Sequence, residues 1–326
     1  MGAGETARYW RHPDEPGVDL LAARYVRHAF SRHSHDTYAI GVVLDGVEEF
    51  AYGGSTERAP AGQMPLVNPG VVHTGHAGTP HGWTYRVLYP SVALVAEVAA
   101  ELGAPPGTPA FAAPVIADRH AARLLLAAHR AAEHEMAAGH GTPPSGRIPA
   151  APGSAARGSV ASRGGAGGDP PPTGGEPAGG GALAASSLLR LLLSTLLRHH
   201  ARPYPAMPAG QPVPAAGREA AALARDVLHA RMADPPRLED LAAEVGARPF
   251  PLLRAFRDRY GLPPHAYLNQ ERVRAARRLL DTGSPVAETA YTVGFVDQAH
   301  LTRHFRRVLG VTPGAYRRAL PTPPGP

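Results

Sequence analysis

One motif is written twice between residues 238 and 316, and nothing else in the chain constrains the fold as much. Leu238-Glu239-Asp240-Leu241-Ala242-Ala243-Glu244-Val245-Gly246 matches Val286-Ala287-Glu288-Thr289-Ala290-Tyr291-Thr292-Val293-Gly294 at an offset of 48 residues. Beyond the glycine the offset becomes 49, and Leu252/Leu301, Arg254/Arg303, Phe256/Phe305, Gly261/Gly310, Pro264/Pro313 and Tyr267/Tyr316 coincide. A one-residue slip inside a turn, with register kept on both sides, marks two copies of one supersecondary unit. Each copy predicts helix, short turn, helix. In the second, Val286, Ala290 and Val293 share a face at helical spacing, Gly294 ends the helix, and Asp297 caps the next, whose buried face is Leu301, Phe305 and Val308. The first copy has Arg248, a poor cap, at the equivalent place, with Pro249 at the first helical position. Two helices joined by so short a turn form a helix-turn-helix, whose second helix fits a major groove.

Gly294-Phe295, the run Leu301-Thr302-Arg303-His304-Phe305-Arg306-Arg307, and Gly310-Val311-Thr312-Pro313-Gly314-Ala315-Tyr316-Arg317 resemble the C-terminal DNA-binding domain of the AraC/XylS family of transcriptional regulators. The resemblance runs from about residue 218 to 318. It implies two helix-turn-helix units bridged by a long helix, here 263–280, with both second helices entering successive major-groove segments on one face of double-stranded DNA. The groove-facing candidates are Pro249, Phe250, Pro251, Leu253, Arg254 and Arg257 in the first unit and Gln298, Ala299, His300 and Arg303 in the second. Arginine bridges guanine O6/N7, glutamine pairs with adenine, and phenylalanine touches a thymine methyl. For Arg254 and Arg303 a phosphate contact is the competing role.

Charge distribution agrees. All 33 basic residues are arginine, a bias that with abundant Ala, Gly and Pro reflects a GC-rich genome rather than function. Residues 1–216 are nonetheless balanced, with 16 Arg and 16 acidic residues, whereas 217–326 hold 17 Arg and 11 acidic residues. The whole net charge of +6 therefore sits where phosphates would be met.

Residues 20–89 read as short strands punctuated by Gly and Pro, which predicts a small barrel or jelly roll. Residues 38–44 form a buried strand, Asp45-Gly46 a hairpin turn, 47–52 the returning strand, and 64–67 and 84–89 two more. His33-Ser34-His35, followed by Gly62 and then Asn68-Pro69-Gly70-Val71-Val72-His73, resembles the two cupin signatures and the sensor domain of many AraC/XylS proteins. That resemblance implies a small-molecule effector in the barrel. His33, His35, Tyr38, Glu49, His73, Trp83, Tyr85 and Arg86 are the candidates to line its pocket, the aromatics being equally compatible with core packing. Cupin enzymes carry a metal on two histidines, a glutamate and a third histidine. His33, His35 and His73 could supply three imidazoles, but Asp36-Thr37-Tyr38-Ala39-Ile40 lacks the glutamate, so neither a metal nor another cofactor is expected.

Helices are predicted at 92–102, at 118–138 behind the cap Asp118, and at 183–200. The last is apolar over much of its girth, so it is buried on two sides. One side packs on 118–138; the other faces either this chain's own core or a second subunit, as in the family's dimerisation hairpin. Between them, 139–182 holds 14 Gly and 8 Pro in 44 residues and reads as a disordered insertion. A Pro-rich linker, 201–216, precedes the helix 218–233 that opens the DNA-binding domain.

The expected fold is thus two-domain: a cupin-like β-barrel with helices over 1–138 and 183–200, and an all-α domain with two helix-turn-helix units over 217–320. The expected function is an effector-controlled, sequence-specific DNA-binding regulator and not an enzyme. Its partners would be DNA, a small molecule, a second copy of the chain and RNA polymerase. The alternatives are a metal-dependent cupin enzyme fused to a DNA-binding module, and a nucleic-acid binder without a ligand. The absence of cysteine excludes disulfides and thiolate metal sites. No apolar run reaches membrane-span length, and the polar start lacks a leader pattern, so a cytoplasmic protein is expected.

Overall fold

The computed structural model describes residues 4–139, 180–202 and 215–319. Most of 139–182 and 201–216 lies outside these residues. Eight strands come first: β1 (Thr6–Arg11), β2 (Asp19–Tyr25), β3 (Phe30–His33), β4 (Ala39–Tyr52), β5 (Ser55–Pro60), β6 (Met64–Val67), β7 (His73–Ala77) and β8 (Trp83–Tyr89). Then follow α1 (Val92–Glu101), β9 (Ala110–Phe111), β10 (Val115–Ile116), α2 (Arg119–Gly139), α3 (Gly180–His200) and β11 (Ala201–Arg202). The C-terminal part is helical: α4 (Ala215–Ala230), α5 (Leu238–Glu244), α6 (Pro249–Tyr260), α7 (Pro264–Asp281), α8 (Val286–Thr292), α9 (Gln298–Leu309) and α10 (Pro313–Arg318).

The nine-stranded antiparallel sheet turns on β4. Its first half lies between β8 and β6 in the order β1-β2-β8-β4-β6-β10, while its second half pairs with β5 and with β7, which carries β3. One strand therefore belongs to both walls of the barrel. The expected hairpin turn at Asp45-Gly46 is not there: β4 runs straight through it, and its pairing with β8 shifts register between Val43 and Asp45. Gly46 has φ 74°, and a Cβ on it would lie 2.0 Å from the Gly82 carbonyl oxygen, so it admits a bulge at a close backbone approach rather than a reversal. The reversal comes at Gly53-Gly54, between the paired Tyr52 and Ser55.

Three apolar clusters organise the described residues. On the outer sheet face Trp10, Leu20, Tyr38, Ile40 and Leu88 pack under α1, α2 and α3. Asp118 caps α2 as expected, its Oδ1 accepting from the N–H groups of His120 and Ala121 at 2.9 Å each. Within α3, Ala185, Leu189, Leu192, Leu193 and Leu196 are buried in this same cluster, so the chain's own core covers most of that helix, leaving Leu191 half exposed. A second cluster joins α4, α5 and α6. The third is continuous between domains: barrel residues Tyr25, Phe50 and Trp83 share it with Val273 of α7, Phe305 of α9 and Tyr316 of α10. Polar ties flank it. Arg277 pairs with the buried Asp19, Arg11 with Asp281 at 2.6 Å, and Arg306 with Glu5 at 3.1 Å.

Candidate DNA interface and sensor cavity

In the second helix-turn-helix unit the Asp297 carboxylate accepts the His300 N–H at 2.6 Å and starts α9. Leu301, Phe305 and Val308 turn inward, leaving Gln298, Ala299 and Arg303 exposed on the opposite face. His300 is half-buried between Phe295 and His304, with ring centroids at 5.2 and 4.9 Å. The first unit lacks a side-chain cap at Arg248 and begins α6 with Pro249. Phe250 is 82% exposed; Pro251, Arg254 and Arg257 are exposed too, while Pro249 and Leu253 are half-buried. The ten candidates thus lie along the first two and a half turns of α6 and the first turn and a half of α9.

These two helices flank α7, whose 18 residues span about 27 Å at 1.5 Å per residue. Arg272 fixes α7 to the rest: its guanidinium donates to the Met232 carbonyl at 2.9 and 2.7 Å and lies 5.8 Å over the Phe295 ring. One arginine so ties the loop before α5 to the turn before α9.

Inside the barrel is a small cavity of about 40 Å³, lined among others by His33, His35, Glu48, His73, Tyr85 and Tyr89. Burial pushes the His73 imidazole down to about 4, and burial with mutual imidazole repulsion holds His33 and His35 well below the ordinary value, so all three rings are neutral at pH 7. Of the eight expected lining residues the structure gathers four here: His33, His35, His73 and Tyr85. The others point elsewhere. Tyr38 lies on the helix-covered face and donates to the Pro109 carbonyl. Arg86 reaches from the same face to His129 Nδ1 at 2.7 Å and Glu133 at 3.0 Å. Trp83 packs against Tyr25 and Tyr85, away from the lining. Glu49 points outward to Arg58 at 3.1 Å and His76 at 3.3 Å. Its neighbour Glu48 faces the cavity instead, buried, with a carboxyl pushed up to about 8 and Oε2 lacking a hydrogen-bond partner among the described residues. The sequence signal for Glu48 was present only to a reader who knew of the bulge that resets the strand's alternation.

Two family models match the two halves of this arrangement. Residues 15–143 match the AraC-like ligand binding domain and residues 241–319 a helix-turn-helix domain, together well over half of the chain. The chain belongs to the AraC/XylS family. Among curated AraC-type relatives, it is 40% identical to the HTH-type transcriptional regulator MtrA of Neisseria gonorrhoeae over 68 residues, 21% of this chain and 23% of that protein. It is 32% identical to the regulatory protein PocR of Salmonella typhimurium over 94 residues, 28% and 31% of the respective chains. These alignments span only about a quarter to a third of the relatives' lengths. Among solved structures it resembles ToxT from Vibrio cholerae at 11% identity and a TM-score of 0.41, over 97% of this chain and 98% of that one.

In this AraC/XylS chain the segment that carries two of the cavity histidines is held by the DNA-binding half at Ser34. Ser34, between His33 and His35, donates its N–H to Gln270 Oε1 at 2.9 Å and accepts from Gln270 Nε2 at 3.1 Å. Arg274 reaches the Ser34 carbonyl at 3.4 Å and Asp36 at 2.9 Å. Both side chains come from α7, the helix between the two helix-turn-helix units. Sequence reasoning missed this clasp because its partners lie 236 and 240 residues apart.

Proposed function

We propose that this chain is a sequence-specific DNA-binding transcription regulator whose activity is set by a ligand held in the N-terminal barrel. One observation carries the reading: α6 and α9 present Arg254 and Arg303 at equivalent, exposed positions on either side of α7, within the half of the chain that holds all the net charge. The family membership and the match of residues 15–143 to a ligand-binding domain support the regulatory half. A cupin enzyme is a poorer fit. A substrate pocket occupies roughly 300–1,000 Å³, whereas the barrel interior offers about 40 Å³. Among the described residues no helix is long and apolar enough to cross a membrane, and we place the protein in the cytoplasm with its DNA. A second copy of the chain and RNA polymerase are the further partners of this reading.

The test is selection of binding sites from random duplex DNA with the purified full chain, followed by footprinting. The expected result is a site with two contacted segments about one helical turn, or roughly 34 Å, apart. Enrichment of no sequence, or binding with no preference beyond charge, would overturn the proposal.

A further inference from the structure

The three cavity histidines are grouped closely enough to close on one ion. One ring nitrogen from each lies within 4.8 Å of the others. His33 Nδ1 donates to the Ser31 carbonyl at 2.7 Å and His73 Nδ1 to the Val71 carbonyl at 3.0 Å. Those two bonds fix the tautomer and leave a lone pair on each Nε2. His33 Nε2 lies 3.2 Å from His35 Nε2. Two nitrogens bound to one ion at about 2.0–2.1 Å sit about 3.0–3.4 Å apart. Backbone carbonyls gripping the far nitrogen are what orients imidazole ligands in metal sites. The glutamate of the cupin set is absent after His35 and Asp36 is turned to Arg274, but Glu48 brings a carboxyl to the same cavity from β4, with an oxygen that no group among the described residues satisfies.

Size decides between ligand classes. About 40 Å³ is far below what an organic effector needs, yet it exceeds the roughly 10–15 Å³ that a water centre requires. An ion with one or two waters fits, and a Glu48-bonded water would fill the open side. Neutral imidazoles select zinc, copper, nickel, cobalt or ferrous iron over magnesium or calcium.

We propose that the ligand of this sensor is a first-row divalent transition-metal ion held by the Nε2 atoms of His33, His35 and His73, and that α7 reads its arrival through Ser34. The proposal rests on the regulator reading and names its ligand. Drawing His33 and His35 onto one ion immobilises the segment between them. That segment's N–H, hydroxyl and carbonyl are the groups that Gln270 and Arg274 hold. Metal-free and metal-bound chains then differ in how firmly α7 is seated, which is the differential interaction a switch requires.

The experiment uses the full chain stripped by a chelator. Calorimetric titration with Zn²⁺, and visible ligand-field bands on titration with Co²⁺, should each report one equivalent per chain. His35→Ala and His73→Ala should weaken that binding roughly tenfold or more, with circular dichroism retained and DNA affinity held at the metal-free level of the wild type. Gln270→Ala should keep the metal and lose the metal dependence of DNA affinity, measured by anisotropy on the selected site. Chelation of the wild type repeats the comparison without any substitution. Failure to bind one equivalent, or unchanged binding in both histidine variants, overturns the metal site while leaving the DNA-binding reading intact. Metal bound with DNA affinity unmoved overturns the sensing role. Loss of specific DNA binding with and without metal would instead sink the regulator reading.

Discussion

The Tyr25 hydroxyl donates to the Gly310 carbonyl at 2.9 Å, across 285 residues of sequence and in a buried setting. Gly310 closes α9 with φ 75°, and a Cβ there would lie 2.3 Å from that hydroxyl and 3.1 Å from the Phe30 ring. The end of α9 is therefore seated in the barrel wall, at a position only glycine can fill. Gly310→Ala combines a left-handed backbone penalty of about 1 kcal/mol with a clash against two buried rings. It should loosen the two domains, seen as faster proteolysis between them and a less cooperative urea transition. Tyr25→Phe should keep the domains docked at a cost of about 1 kcal/mol. A Gly310→Ala protein with wild-type cooperativity and midpoint would show that this seat does not join the domains.

The two helix-turn-helix units should read DNA differently. Pro249 and Pro251 bring no side-chain donors to the start of α6, and Phe250 projects almost fully into solvent. Gln298 and Arg303 occupy the exposed face of α9. We expect Arg303→Ala to relax preference at one base pair of the selected site at a cost of ~1–3 kcal/mol. Phe250→Ala should weaken a preference for thymine in the other segment. Uniform weakening of Arg303→Ala across all sequences would place that arginine on a phosphate.

The second unit was legible because its signals are local: a repeated spacing, an Asp cap, a glycine between helices. The barrel was legible only as a class of fold. Glu49, expected in the pocket, points outward and its neighbour Glu48 inward, because the bulge between Val43 and Asp45 shifts the strand's alternation where an Asp-Gly pair imitates a turn. Tyr38 and Arg86 were placed in the pocket because both faces of this sheet are buried, one by the cavity wall and one by helices, so alternation alone does not say which is which. The docking of the domains left no local trace at all: Glu5 meets Arg306, and Asp19 meets Arg277, across 301 and 258 residues.

His129 should give the fold a measurable acid sensitivity. It is fully buried on α2, where Arg86 on β8 donates to Nδ1, Glu133 stands one turn along, and Arg8 and Trp10 face it from β1. Burial, then the Arg86 charge, pushes it down to about 3. Unfolding frees the ring to its ordinary value near 6.5, so the unfolded chain binds an extra proton between about pH 3 and 6.5. Stability from this group is complete above pH 6.5 and falls as the pH drops through that window. His129→Asn, which keeps an acceptor for Arg86, should flatten the fall by up to about 1.4 kcal/mol per pH unit. Urea transitions of both proteins at pH 7, 6 and 5 make the comparison, and equal slopes would remove His129 as a contributor.

Glu5 should restrain the recognition helix electrostatically. Its Oε1 accepts the N–H groups of Val26, Arg27 and His28 at 3.1, 2.8 and 2.8 Å, and its Oε2 pairs with Arg306 of α9 at 3.1 Å. Arg27, Arg303 and Arg307 line the same cleft, so this one buried carboxylate offsets positive charge on the side of α9 that continues toward the DNA face. Glu5→Gln keeps the acceptor for the three N–H groups and deletes the charge. With its partner neutral, Arg306 is freer to meet phosphate, and each added phosphate contact steepens the dependence of log affinity on log salt by roughly 0.9. Binding to unselected duplex DNA should therefore tighten at low salt, with a slope larger by up to that amount. An unchanged slope and affinity would mean that Arg306 stays seated without the charge, and that Glu5 serves only to hold the loop at 26–28.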